Sequence, residues 1–91
     1  MSPKNWRLLY SDDAAHDLSK LEKHIVRKIL SYLEEHVLPL GDPRAVGKAL
    51  KGSKWGNAWR YRCGNYRIIV RIIDSDVVVL VLRAGDRKNV Y

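Results

Sequence analysis

The sequence predicts a small single α+β domain: a twisted, mainly antiparallel sheet of about four strands packed against an N-terminal helical hairpin. Three observations predict it. A short apolar opening, WRLLY over 6–10, precedes a long stretch with helical spacing. A Gly64-Asn65 pair sits between two runs that alternate polar and apolar. An unbroken apolar run, Val77 to Leu82, follows. One strand, then helices, then three strands make a sheet backed by helices.

The elements follow in order. Trp6 to Tyr10 reads as the first strand. Ser11-Asp12-Asp13 supplies N-cap candidates and acidic first-turn residues. Leu18, Leu21, Ile25, Ile29 and Leu33 recur at helical spacing, and Val26, Leu30 and Val37 widen the stripe. This is one helix with a break near Leu21, or two helices in an antiparallel hairpin, with the stripe as core against the sheet. Pro39, Gly41 and Pro43 end it. Arg44 to Leu50 reads as one or two helical turns, and Lys51 to Asn57 as a polar, glycine-containing loop.

The hairpin Trp59 to Val70, WRYRCGNYRIIV, is the most informative segment. Gly-Asn between alternating runs is a two-residue turn signal, because both residues tolerate positive φ. With these two in the loop, Cys63 faces Tyr66, Arg62 faces Arg67 and Arg60 faces Ile69. Side chains alternate between faces along a strand. Trp59, Tyr61, Cys63, Tyr66, Ile68 and Val70 therefore share a core face, and Arg60, Arg62, Arg67 and Arg71 share the other. Like charges directly opposite destabilise a hairpin, so this face suits a polyanion or a set of carboxylates. The third strand runs from Tyr66 to Ile73, Asp74-Ser75-Asp76 turns the chain, and Val77 to Leu82 suits a central strand buried on both faces. Arg83 to Tyr91 forms the tail.

Ninety-one residues, 46% of them hydrophobic, make one small globular domain, 1–91, and argue against disorder. The single cysteine, Cys63, excludes an internal disulfide framework and offers no metal-site spacing; it reads as a small core residue. No signal peptide and no long apolar run are visible, so a soluble, cytoplasmic protein without membrane contact is expected. The formal charge of +7 is unevenly spread: residues 1–43 hold six Lys+Arg against seven Asp+Glu, and residues 44–91 hold eleven against three. Such asymmetry favours a phosphate-bearing partner, nucleic acid first and an acidic protein second. His16, His24 and His36 lie in the helical region, away from the basic half.

Taken together, the opening strand, the DDAAHDLSKL helix start, LKGSKWGNAWRYRCGNYRIIV, DVVVLVLRAG and the closing DRKNVY resemble the RelE toxins of the RelE/ParE superfamily over nearly the whole length. The resemblance implies a type II toxin that enters the ribosomal decoding site and cleaves mRNA without metal or cofactor, by attack of a ribose 2′-OH on the adjacent phosphate. It also implies a cognate RelB-like antitoxin as partner. Arg67 resembles the family's hairpin arginine, which clamps the scissile phosphate; bidentate guanidinium geometry suits that role. Arg87 resembles the tail arginine that stabilises the transition state, and Tyr91 the tail tyrosine that stacks on a base. Arg60 stands where some relatives carry lysine. Lys51, Lys54, Arg62, Arg71 and Arg83 are expected to contact RNA.

Two departures from the family pattern matter. Ala58 stands where some members carry a second lysine, and Asp86 where many carry histidine. Arginine is always protonated and makes a poor general base, so the identity of the acid and base is left open. The competing reading is a ParE-like toxin that inhibits DNA gyrase without being a nuclease; a catalytically impaired RNA-binding relative is a third.

Overall fold

The computed structural model describes residues 5–90. Strand β1 (Arg7–Tyr10) leads into helices α1 (Asp12–Ser19) and α2 (Lys23–Tyr32). The second helix runs on through a π turn, Leu33–Val37, and a 3-10 turn, Leu38–Leu40, and a separate 3-10 turn follows at Pro43–Ala45. Strands β2 (Lys48–Ser53), β3 (Gly56–Cys63), β4 (Tyr66–Ile73) and β5 (Val78–Asp86) follow, then a single helical turn, α3 (Arg87–Val90). The sheet order is β1-β5-β4-β3-β2, with β1 parallel to β5 and every other pair antiparallel.

The break near Leu21 separates two helices. The Ser11 hydroxyl caps α1 by accepting from the Ala14 amide at 3.1 Å, and Asp12 and Asp13 occupy its first turn. Ala14, Ile29, Leu33 and Val37 carry the stripe into the core. They meet Tyr61, Ile68, Val70, Val79 and Val81 from the sheet. The Tyr61 hydroxyl donates to the Pro43 carbonyl at 2.6 Å, which satisfies a polar group that is otherwise buried. Burial keeps that phenol protonated far above its ordinary range.

Two expectations are corrected. The sheet has five strands, because Lys48–Ser53 forms β2 where helical turns and a loop were expected. KALKGS is an edge strand with one neighbour, so it needs no alternating apolar face and gives no period-2 signal. A register irregularity between Leu50 and Ser53 disturbs it further. Gly47 sets its start: at φ +82°, an added Cβ would overlap the Arg60 carbonyl and approach the Trp59 indole nitrogen to 2.8 Å. The second correction concerns β5, which continues through Arg83, Ala84, Gly85 and Asp86 rather than stopping at Leu82. Val77, assigned to this strand by sequence, instead takes left-handed backbone at φ 54° just before it.

The extension of β5 has a specific support. Strand β1 pairs only with Val78 to Val81. Beyond that point α1 covers the open edge. The Ser11 amide donates to the Val81 carbonyl at 2.9 Å, and its hydroxyl to the Leu82 carbonyl at 3.0 Å. The Asp17 carboxylate accepts from the Ala84 amide at 3.0 Å. Among the described residues no helix is long and apolar enough to cross a membrane.

Candidate nucleic-acid interface

The hairpin has the register that the sequence predicts: Cys63 opposite Tyr66, Arg62 opposite Arg67, Arg60 opposite Ile69. Gly64 alone takes positive φ, 61°, at the first loop position. Tyr61, Ile68 and Val70 are buried under the helices, with Trp59, Cys63 and Tyr66 packed around them. Arg60, Arg62, Arg67 and Arg71 therefore project from the opposite face.

That face is not bare. Ala58, Ile69 and Val90 form a second, small apolar cluster there, flanked by Leu50, Trp55 and Leu82. Val90 brings α3 back across the sheet. The Arg87 amide also donates to the Asn65 carbonyl at 3.0 Å, tying the tail to the hairpin turn. Since Arg67 pairs with Gly85 on β5, the two arginines that the sequence singled out lie on adjoining pieces of backbone. The Arg67 Nη1 donates to the Gly64 and Tyr66 carbonyls, each at 3.1 Å. This folds the guanidinium over the turn and leaves its Nε and Nη2 donors without an acceptor among the described residues.

The two departures from the family pattern now have structural settings. Ala58 is 4% exposed and seated beneath Val90, so this position is part of the apolar seat of the tail. The Asp86 carboxylate accepts from the Lys88 amide at 2.9 Å and so caps the start of α3. Tyr91 lies outside the described residues.

The other expected contacts divide. Arg60 and Arg62 line a cleft of about 210 Å³ together with Lys48, Gly47 and Tyr32. Lys48 was not singled out by sequence; it joins because β2 places it directly opposite Arg60. Lys51 is exposed on β2. Lys54, in the turn that follows, holds its ammonium 4.9 Å from the Trp55 ring centroid. Arg71 donates to the Trp55 carbonyl at 2.9 Å. Arg83 stands apart: its Nε and Nη2 donate to the Asp17 carboxylate at 2.7 and 3.1 Å. Burial raises the Asp17 pKa, but hydrogen bonds from Arg83 and Ala84, with the charges of Arg83 and His16, outweigh it and hold the carboxyl below its ordinary range. The three histidines are exposed on the helical layer. No group of three or more His, Cys, Asp or Glu side chains among the described residues is placed to hold a metal ion.

A small sheet backed by helices thus carries a basic open face crossed by a pinned tail. The chain belongs to the RelE/ParE superfamily: the family described as "ParE toxin of type II toxin-antitoxin system, parDE" matches residues 8–91. It is similar to Toxin RelG of Mycobacterium tuberculosis (strain ATCC 25618 / H37Rv), 30% identical over 86 residues that cover 90% of this chain and 91% of the relative. Among solved structures it is similar to the toxin–antitoxin complex RelBE2 from Mycobacterium tuberculosis, with a TM-score of 0.79 at 26% identity, covering 93% of this chain and 94% of that one. The intact E. coli RelBE toxin–antitoxin complex matches with a TM-score of 0.66 at 26% identity, covering 89% of this chain and 95% of that one.

Proposed function

We propose that this toxin is a ribosome-dependent mRNA endonuclease acting in the cytoplasm and held inactive by a RelB-like antitoxin. The observation that carries the reading is the hydrogen bond from the Arg87 amide to the Asn65 carbonyl, which brings the tail arginine onto the hairpin that bears Arg67. In this reading the two guanidinium groups reach one phosphate, the scissile one. The ribose 2′-oxygen attacks the adjacent phosphorus, its proton passes to a base, the bond to the 5′-oxygen breaks, and that oxygen takes up a proton. The products are a 2′,3′-cyclic phosphate and a new 5′-hydroxyl end. Negative charge grows on the non-bridging oxygens as attack proceeds. Fixed cations stabilise that change most when they are already in place and need no reorganisation. The unengaged Nε and Nη2 edge of Arg67 supplies a bidentate fork for this purpose. Arg60 extends the cationic surface, and Lys48 and Arg62 line the neighbouring cleft, suited to flanking backbone phosphates. Tyr91 supplies a ring for base stacking.

The antitoxin part of the reading is supported by the two matched complexes, each of which contains an antitoxin. A partner segment bearing carboxylates would neutralise the arginine face.

A second reading, inhibition of DNA gyrase without RNA cleavage, is favoured by the match to the ParE description and by the use of Ala58 and Asp86 to seat and cap the tail. Induction in cells with separate readouts separates the two. Translation arrest with new 5′ ends inside codons, mapped by primer extension, supports the endonuclease. Continued translation with failing gyrase-dependent supercoiling replaces it with the gyrase reading.

A further inference from the structure

Arg83 stands opposite Ile69, but its guanidinium turns over the edge of β5 to Asp17, and the chemistry above makes no use of that pair. The pair's place in the chain is nevertheless particular. Asp17 lies on α1, 66 residues from Arg83 in sequence. Its carboxylate gathers three donors: Arg83 Nε at 2.7 Å, Arg83 Nη2 at 3.1 Å and the Ala84 amide at 3.0 Å. The side chain is 12% exposed, so this is a partly desolvated, bidentate contact rather than a surface ion pair.

The segment it grips is where β5 is otherwise least constrained. The β4–β5 ladder shifts register between Ile69 and Val70, leaving Leu82 as the extra residue on β5. β1 has already ended, its last pairing being Tyr10 with Val81. From Arg83 onward the strand has β4 on one side and only α1 on the other. The next three residues, Ala84, Gly85 and Asp86, pair with Ile68, Arg67 and Tyr66, and Arg87 follows immediately. An error in the exit of β5 just past the bulge would pass directly into the distance between Arg67 and Arg87.

We infer that Asp17 is a positioning residue for the tail arginine: through Arg83 and the Ala84 amide it fixes the exit of β5 from the bulge, and so sets Arg87 against Arg67. The inference rests on the endonuclease reading for its kinetic test, and on the fold alone for a second test.

The kinetic test uses Asp17→Asn, which removes the charge and the fork while keeping the size. Single-turnover cleavage on programmed ribosomes is expected to fall about 10²-fold, the scale of a roughly 1 Å misplacement of a reacting group, with ribosome binding unchanged. In an Arg87→Ala background the same substitution should cause no further loss. Ile29→Val, a core change under the helices, serves as a control for lost stability. Equal losses from Asp17→Asn in the two backgrounds, or a loss matched by Ile29→Val at equal melting temperature, overturn the inference.

The second test is backbone amide exchange followed by NMR. Asp17→Asn should accelerate exchange of the Arg87 amide, the donor to Asn65, while α2 amides keep their protection. No acceleration at Arg87, or uniform acceleration across the domain, overturns it. This test also decides the matter if the Arg87→Ala rate is too low to measure. If the parent protein fails to cut mRNA, the endonuclease reading falls and the exchange result still judges the clasp.

Discussion

Replacing Arg67 with alanine should separate activity from stability in a way that few substitutions do. Arg67 sits directly opposite Arg62 in the hairpin. Cross-strand pairs contribute about 0.2–1 kcal/mol, and like charges act in the destabilising direction. Alanine removes that repulsion. It also removes the Nη1 bonds to the Gly64 and Tyr66 carbonyls, one exposed and one half-buried; a typical hydrogen bond is worth about 0.5–1.5 kcal/mol net, and exposed ones fall at the low end. The two effects oppose each other, so net stability should change by less than about 1 kcal/mol. For a domain of this size, 1 kcal/mol moves Tm by roughly 4–8 °C. The effect on catalysis should be far larger. Loss of one preorganised donor to a developing oxyanion costs about 10²–10³-fold, or roughly 2.7–4 kcal/mol. The assay is paired: thermal unfolding of the free toxin, and single-turnover cleavage of a message on programmed ribosomes. A variant with near-parental Tm and cleavage down at least 10²-fold supports the assignment. Parental cleavage removes Arg67 from the site. A loss of cleavage accompanied by a collapse in Tm shows that the residue holds the hairpin rather than the phosphate.

Four further outcomes are expected. Gly47→Ala should cost about 1–3 kcal/mol from its positive φ alone, plus the overlap with the Arg60 carbonyl, and denaturant titration should show an early midpoint; an unchanged midpoint means β2 can start elsewhere. Asp17 has a depressed folded pKa, so its stabilising contribution is present above the unfolded value near pH 4 and is lost as pH falls through the lower folded value; Asp17→Asn should lower stability at neutral pH and flatten that acid limb, and parallel acid titrations of parent and variant contradict the assignment. Association with a RelB-like antitoxin should slow as salt rises, because the basic face steers the encounter; stopped-flow rates independent of salt exclude steering. Tyr91→Phe should retain most cleavage and Tyr91→Ala should lose it, since stacking is worth about 1–3 kcal/mol per base; equal failure of both variants assigns the role to the hydroxyl.

Legibility in the sequence followed the range of the forces involved. The hairpin was readable to the residue because its turn and its alternation are local, and Gly64-Asn65 fixes where the count begins. The helical stripe was readable for the same reason, while the choice between one helix and two needed the turn at Lys20 to Glu22 to be seen. β2 was missed because an edge strand such as KALKGS buries neither face strongly. With it went Lys48, whose place opposite Arg60 exists only as a strand pairing. The end of β5 was missed because RAGD has no apolar periodicity; its extended form comes from β4 on one side and from Ser11 and Asp17 on the other. Arg83 reads from the sequence as an RNA contact, and nothing in a linear reading joins it to a carboxylate on the first helix.

The charge asymmetry along the chain becomes an asymmetry across the fold. The half with net charge −1 supplies β1, both long helices and the turns after them; the half with net charge +8 supplies the other four strands and the tail. The core is packed on the helix side, where Tyr61, Ile68 and Val70 meet α1 and α2. The open face keeps only a small apolar cluster, and that cluster seats the tail through Val90. The main core and the arginines of the hairpin therefore occupy opposite sides of the same strands. Substituting an arginine on the open face leaves the main core untouched, and substituting Ile68 or Val70 disturbs both layers at once. The exception is the last third of β5. There the helix layer reaches round the sheet edge through Ser11 and Asp17 and grips the strand that carries the tail. That edge is where a change in the helical layer, distant in sequence from every basic residue of the site, can alter how the basic face is set.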